Sequence, residues 1–451
     1  MSMPDFLLPR PALSSAQPHP FPCYASRQLA NGLTVWTFQL PGQHLIAAEL
    51  VMMTPLAAEP AAIEGVTSLI MDTITDGTVS SPGSQFAAAL DDQGAALDGR
   101  VTHSASMLGL RVPVTRFDRG LALLAQATQE AQLADEDVKR NIDIRRSEIA
   151  QELINPTHAV ERAFKLALFH ASDRQSRPSG GKLANLDALS GELVRTQYAK
   201  LWRPDQATLI VAGDLPSDVD ATIDEHFRHW TPGHSQFVTC EPALNCARQI
   251  LIVDRPDAPQ AQLRIGGPGI DRRNPRWSTS QLATQAIGGG FLSRINRVLR
   301  EERGYTYGAH VSLSPLTHGG SFALRGSFRT EVAVDAIQTA LQLLDVRSYP
   351  IPADEVLDAK NYLLGVGPLQ RQTADQIVGQ AAALASVGMT PHWIDENQRA
   401  IAEADVADTN AALAELIDPE HCHIVIAADA AAIVDPMTEA GLAPQVITLA
   451  G

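Results

Sequence analysis

Residues 286–310 read AIGGGFLSRINRVLREERGYTYGAH, and the parsing of this stretch decides the shape of the C-terminal half. Gly288, Gly289 and Gly290 give a flexible lead-in. Phe291, Leu292, Ile295, Val298 and Leu299 recur at steps of three and four, the spacing of a helix that buries one face. Arg294, Arg297, Arg300, Glu301, Glu302 and Arg303 fill most of the other positions. Gly304 stands where a helix C-terminus favours positive φ. After it, Tyr305, Thr306, Tyr307 and the alternation Val311, Leu313 predict a strand. A helix ending near Arg300 and a strand starting near Tyr307 would bring a guanidinium and a phenol to one point, where both can donate to a carbonyl oxygen. The same residues also fit a plainer role, with Arg300 in surface ion pairs and Tyr307 packed at a sheet edge.

Composition narrows what such a pair could serve. The chain has 451 residues, 45% hydrophobic and 19% charged, enough for two to four domains with an ample core. A net charge of −16 argues against a nucleic-acid partner, which needs an excess of Lys and Arg, and suits a basic peptide or partner. No run reaches about 18 consecutive apolar residues, so no membrane span is expected. The Pro-rich residues 1–22 have neither a basic n-region nor an apolar h-region, so no signal peptide is evident, and the compartment stays open between cytoplasm and periplasm. Cys23, Cys240, Cys246 and Cys422 show no C-x-x-C spacing, which excludes a zinc ribbon and a redox pair and leaves buried thiols. Gly288–Gly290 lack the G-K-[ST] of a P-loop, Gly266 to Gly269 contain Pro268 and no βαβ setting, and no G-x-S-x-G elbow occurs.

Landmarks in the two halves repeat. Leu110 in GLRV and Leu324 in ALRG lie 214 residues apart, the ADE runs at Ala134 and Ala353 lie 219 apart, and Asp214 and Asp429, each closing a strand-like run, lie 215 apart. Three landmarks at nearly one offset indicate a duplicated unit. The expected fold is α+β: two tandem homologous domains, each an open antiparallel-rich sheet with helices packed on one face. Expected boundaries are an extended N-terminal arm at 1–25, a first domain at 26–230, a linker at 231–248 and a second domain at 249–451. Within the first, Asn31-Gly32 signals a hairpin, and Val66, Leu69, Ile70 and Ile74 line one side of a helix.

The run LREERGYTYG, led by the glycines and Ser293-Arg294, closely resembles the C-terminal-half motif of the pitrilysin (insulinase-like) zinc peptidases, which include the mitochondrial processing peptidases. In that family an Arg and a Tyr seven residues apart bind substrate main chain and stabilise the scissile carbonyl; the resemblance carries those roles onto Arg300 and Tyr307, with Gly288, Gly289 and Gly290 as possible cavity-lining residues. Catalytic members also carry H-x-x-E-H on the first helix of the N-terminal half, two histidines holding zinc and a glutamate acting as base. Here that frame falls on Ser68, Met71 and Asp72, with Gly65 and Gly77-Thr78 fixing the register. A serine hydroxyl is a poor zinc ligand and a thioether takes no proton from water. Glu148 lies about where the family places its distal glutamate ligand; without histidines nearby it reads as a helix-surface acid. His421-x-His423 is expected as a solvated or packed pair on one strand face, and His226 and His229 as surface residues, none of them ligands.

The resemblance therefore implies a chain that is not active alone, with no metal of its own. It would be the non-catalytic, substrate-binding subunit of a heterodimeric zinc metallopeptidase, supplying Arg300 and Tyr307 in trans to a homologous partner that carries H-x-x-E-H and the zinc. The substrate would be a peptide that enters a closed chamber. Two other readings stay open: a structural core-protein-like scaffold with no peptidase role, and an independent metallopeptidase with an unusual site.

Overall fold

The computed structural model describes residues 15–233, 241–245 and 247–449. Residues 1–14 of the expected arm, and 234–240 and 246 of the expected linker with Cys240 and Cys246, lie outside the described residues. The first sheet contains β1 (Ala25–Gln28), β2 (Thr34–Gln39), β3 (Leu45–Met52), β4 (Ala96–Val101), β5 (Ser106–Pro113) and β6 (Ala207–Gly213), ordered β1-β2-β6-β3-β5-β4. The second contains β7 (Ile250–Asp254), β8 (Gln260–Gly269), β9 (Ala309–Pro315), β10 (Gly320–Arg329), β11 (His423–Ala428) and β12 (Gln445–Ile447), ordered β12-β7-β11-β8-β10-β9. The fold is α+β in two tandem halves.

The repeat is visible in the register. Ala48 pairs with Leu110 on one side and Val211 on the other; Ile265 pairs with Leu324 and Ile424 in the same way. The halves diverge at one sheet edge, where β1 runs antiparallel to β2 but β12 runs parallel to β7.

Each half packs helices of its own on one face of its sheet, as expected, and the other face is covered as well. In β3 every residue from Ile46 to Met52 is buried, a continuous run that signals cover on both faces. One face of the first sheet carries helices of its own half. The other is roofed by the helix Ala374–Ala385 of the second half, whose Ile377, Ala381 and Leu384 join a cluster with Phe38, Val51 and Ile210. Reciprocally, the helix Pro156–Leu168 of the first half lays Val160, Ala163 and Phe164 on Leu251, Ala323 and Val425 of the second sheet. Burying each large apolar side chain contributes about 1.5–3 kcal/mol, so this exchange welds the halves together.

The described part of the arm follows the same pattern. Backbone N–H groups of Ala16, His19 and Phe21 donate to Asn361, Gln398 and Asp395 of the second half, so the arm is docked across the molecule. Asn31 forms the expected turn between β1 and β2, and its buried amide donates to the Phe227 and Trp230 carbonyls, tying the hairpin to the end of the first half.

Candidate functional site

The helix that would carry zinc ligands spans Val66–Thr73. Its N-terminus is held by residues that sequence spacing did not single out. Glu59 accepts from the backbone N–H groups of Gly65 and Thr67. Glu59 is in turn gripped by Arg174 at 2.9 Å, with both side chains buried, and Arg174 also donates to the carbonyls of Arg177, Pro178 and Ser179. Gly65 has φ 99° and backs onto Gly180, whose carbonyl oxygen would lie 2.5 Å from any Cβ there. Only glycine meets both conditions.

On this helix Met71 is 4% exposed, and its methyl would lie 2.8 Å from a Cβ at Gly99. Met71, to which the resemblance assigns the base's position, is therefore an apolar side chain packed against β4. Asp72 keeps an exposed surface, yet enough protein surrounds its carboxyl that burial, and then the charge of Glu148, push it up to about 6 against the pull of Arg145. The structure thus brings Asp72 near Glu148, the distal acid, while Arg145 binds Glu148 at 3.1 Å and Glu152 at 2.7 Å. A neutral hydroxyl at Ser68, a buried thioether and two carboxylates, one already paired, do not fit zinc. Among the described residues no three His, Cys, Asp or Glu side chains are grouped to hold a metal.

The stretch around Arg300 differs from its periodicity in three respects. The helix starts at Arg294, not at Phe291, and continues with π geometry over Arg297–Glu302. Phe291 and Leu292 are 72% and 80% exposed in the loop ahead of it. Arg294, on the expected solvent side, is buried: it binds Glu355 at 3.0 Å and donates to the carbonyls of Tyr349 and Pro350, locking the helix to a neighbouring loop. The strand begins at Ala309 rather than Tyr305, because Gly304, at φ 62°, turns the chain and residues 305–308 form a corner. Asn296 holds that corner together. Its buried amide donates to the Gly290 carbonyl and accepts from the Ala309 N–H, joining the glycine turn to the strand. Gly288 packs beneath Val311, where a Cβ would lie 2.5 Å from Cγ2, while Gly289 and Gly290 lie beside Gln285.

Arg300 lies in the last turn of the helix and Tyr307 stands in the corner that follows, so one short connection carries both. Tyr307 is 97% exposed, and its hydroxyl has no hydrogen-bond partner among the described residues. The Arg300 guanidinium stacks 3.4 Å from the Phe291 ring centroid, donates to the Phe291 carbonyl at 3.0 Å and pairs with its neighbour Glu301. No hydrogen bond joins Arg300 to Tyr307 among the described residues.

The histidines do not assemble as pairs. His423 opens β11, is buried and accepts from the Gln249 N–H, whereas His421 precedes the strand, exposed and bound to Asp418. His226 ends the helix Val219–Phe227 against Asp118, and His229 lies beyond it. Cys422 is buried, which pushes its thiol up to about 12; Cys23 is exposed, contrary to the expectation of buried thiols.

The sequence profile described as Peptidase M16 inactive domain matches residues 188–363. An uncharacterized zinc protease of Rickettsia felis is 24% identical over 303 residues, covering 66% of this chain and 72% of that protein. The crystal structure of a peptidase M16 inactive domain from Pseudomonas fluorescens superposes with a TM-score of 0.84 at 20% identity, covering 90% of this chain and 98% of that one. That of a protease from Helicobacter pylori gives 0.82 at 13% identity, covering 90% and 100%. At such identities the two solved structures speak to the fold, a pair of tandem α+β halves. With the profile match over residues 188–363 and the zinc-protease relative, they make the chain similar to the M16 peptidases, and the positions to which the resemblance assigns H-x-x-E-H hold Ser68, Met71 and Asp72.

Proposed function

We propose that this chain is the non-catalytic, substrate-binding subunit of a heterodimeric zinc metallopeptidase. A homologous partner carries H-x-x-E-H and the zinc, and Arg300 and Tyr307 donate to the scissile carbonyl of a peptide held in a closed chamber between the two chains. One contrast carries the reading: the positions to which the resemblance assigns base and ligands hold groups unfit for zinc, while Tyr307 projects a phenol with no partner among the described residues. A fully exposed tyrosine contributes nothing to the core, and a contact outside the chain accounts for its place on the corner that follows the helix of Arg300.

A donor aimed at a developing oxyanion contributes about 3 kcal/mol, or on the order of a hundredfold in rate. Mixed in equimolar amounts with an H-x-x-E-H partner, the wild-type chain is expected to support peptide hydrolysis that neither chain shows alone. Arg300→Ala and Tyr307→Phe are each expected to lower kcat/KM about a hundredfold while the complex still forms. Hydrolysis unchanged by both substitutions refutes the proposal. A scaffold role is favoured by one observation, the engagement of Arg300 with the Phe291 ring and carbonyl. That role predicts that Arg300→Ala lowers the melting temperature and leaves hydrolysis untouched.

A further inference from the structure

The helix Pro156–Leu168 has a second face, turned away from the sheet it roofs. His158, Glu161, Arg162 and Lys165 on that face line a cavity of about 200 Å³, closed by Arg145 and Glu152 of the helix Asp135–Ile154, the segment Ser176–Ser179 and Leu449. Most charges around it are matched. Arg145 binds Glu152 and Glu148, Arg177 binds Glu64 at 2.8 Å, and Glu161 accepts from Arg264 at 3.2 Å. Arg162 and Lys165 are the exceptions. Three residues apart on a helix, they project to the same side, and neither has a hydrogen bond or ion pair among the described residues.

The acid that acts on Arg162 through space, Glu152, is held by Arg145, whose own positive charge opposes that of Arg162. Burial and this like charge both push the Arg162 guanidinium down from its ordinary value. A partly desolvated cation without a counter-ion carries a free-energy cost that a bound anion removes. A guanidinium offers two parallel N–H donors to a carboxylate, and an ammonium adds a point charge.

We propose that this cavity is an oxyanion subsite, in which Arg162 and Lys165 hold the carboxylate of a peptide. Its position follows from Arg145, which lines the cavity and also binds Glu148, the acid beside Asp72. Arg145 thus links the subsite to Glu148 and, through it, to Asp72 on the helix Val66–Thr73. That the carboxylate belongs to a peptide rests on the peptide-binding role proposed above; that the cavity takes an oxyanion does not.

The full chain, without partner, is titrated with three N-terminally dansylated peptides followed by fluorescence anisotropy: one with a free C-terminal carboxylate, its C-terminal amide, and the amide with an internal Glu. The free acid, or the Glu-bearing amide, is expected to bind about tenfold more tightly than the plain amide. Which of the two gains identifies the carboxylate as terminal or side-chain. The gain is expected to shrink between about 50 and about 300 mM salt, and to vanish in Arg162→Gln/Lys165→Gln, with Lys165→Gln alone intermediate and circular dichroism melts showing that the variants fold. Equal binding of all three peptides, a preference that survives in the double variant, or displacement by inorganic phosphate of a site with no preference for carboxylate peptides overturns the proposal. The outcome is independent of the hydrolysis assay: loss of the Arg300 and Tyr307 effect with the carboxylate preference intact removes the clamp and leaves the subsite.

Discussion

Replacing Glu49 with Gln should stabilise the protein above neutral pH and change little in acid. Glu49 lies in the middle of β3, 4% exposed, opposite Gly109 of β5. Arg100 Nη2 comes within 3.0 Å of its Oε1 but off the line of a hydrogen bond, which leaves that oxygen buried and unsatisfied. Burial raises the carboxyl from 4.5 to about 7; Arg100 pulls it back, and Asp98 and Asp375 push the same way as burial. Below pH 4.5 the folded and unfolded chains both hold the proton. Between 4.5 and 7 only the folded chain does, so stability falls as pH rises through this window and the full cost is present above it. At about 1.4 kcal/mol per pH unit the window amounts to about 3 kcal/mol, a large part of the 5–15 kcal/mol typical of a domain. Glu49→Gln is neutral at every pH and close in shape. Urea unfolding followed by tryptophan fluorescence at pH 4, 6 and 8 should show a stability difference between variant and wild type that is near zero at pH 4 and grows to about 3 kcal/mol in favour of the variant at pH 8. A variant with the same slope as wild type, or one less stable at pH 8, refutes the assignment.

Other perturbations probe the supports of the two candidate centres. Arg174→Ala leaves Glu59 charged, buried and unpaired at the N-terminus of the helix Val66–Thr73, and should cost about 3–5 kcal/mol in urea unfolding. Gly288→Ala drives a methyl into Val311 and should cost about 1–3 kcal/mol, read as a lower melting temperature. Asn296→Ala removes both bonds that span the corner; it should cost about 1–3 kcal/mol and, in the partner assay, lower kcat/KM by loosening Arg300 against Tyr307. Burial, with Lys165 and Arg174 adding to it, pushes the His103 ring down to about 3. Between pH 6.5 and 3 the unfolded chain therefore takes up a proton that the folded chain refuses, so stability drains as pH falls below 6.5, and His103→Gln should flatten that acid limb in thermal melts.

Local patterns in the chain were sufficient for the elements and their duplication. The hairpin turn at Asn31-Gly32 and the helix carrying Val66, Leu69 and Ile70 fall where local signals put them. The constant offset between Leu110 and Leu324 corresponds to equivalent registers in two sheets. That Ser68, Met71 and Asp72 are side chains poorly suited to holding zinc is read from the sequence alone. Each of these follows from side-chain period or residue chemistry, which a single segment carries within itself. What tertiary structure alone decided involves partners far apart in the chain. The helices Pro156–Leu168 and Ala374–Ala385 look like any amphipathic helices, and nothing in their period says that each roofs the other half's sheet. Arg294 and Phe291 fit the solvent face and the core face by spacing, yet take the opposite environments, because Glu355 and the Tyr349 and Pro350 carbonyls offer Arg294 a full set of acceptors and the helix begins three residues late. Glu59 and Arg174 are 115 residues apart, and Arg162 and Lys165 are ordinary helix cations until the surrounding charges are seen to be paired with one another. A period tells which face of a segment is apolar; which surface meets that face, and which charges are left without a partner, is set only when all the segments pack at once.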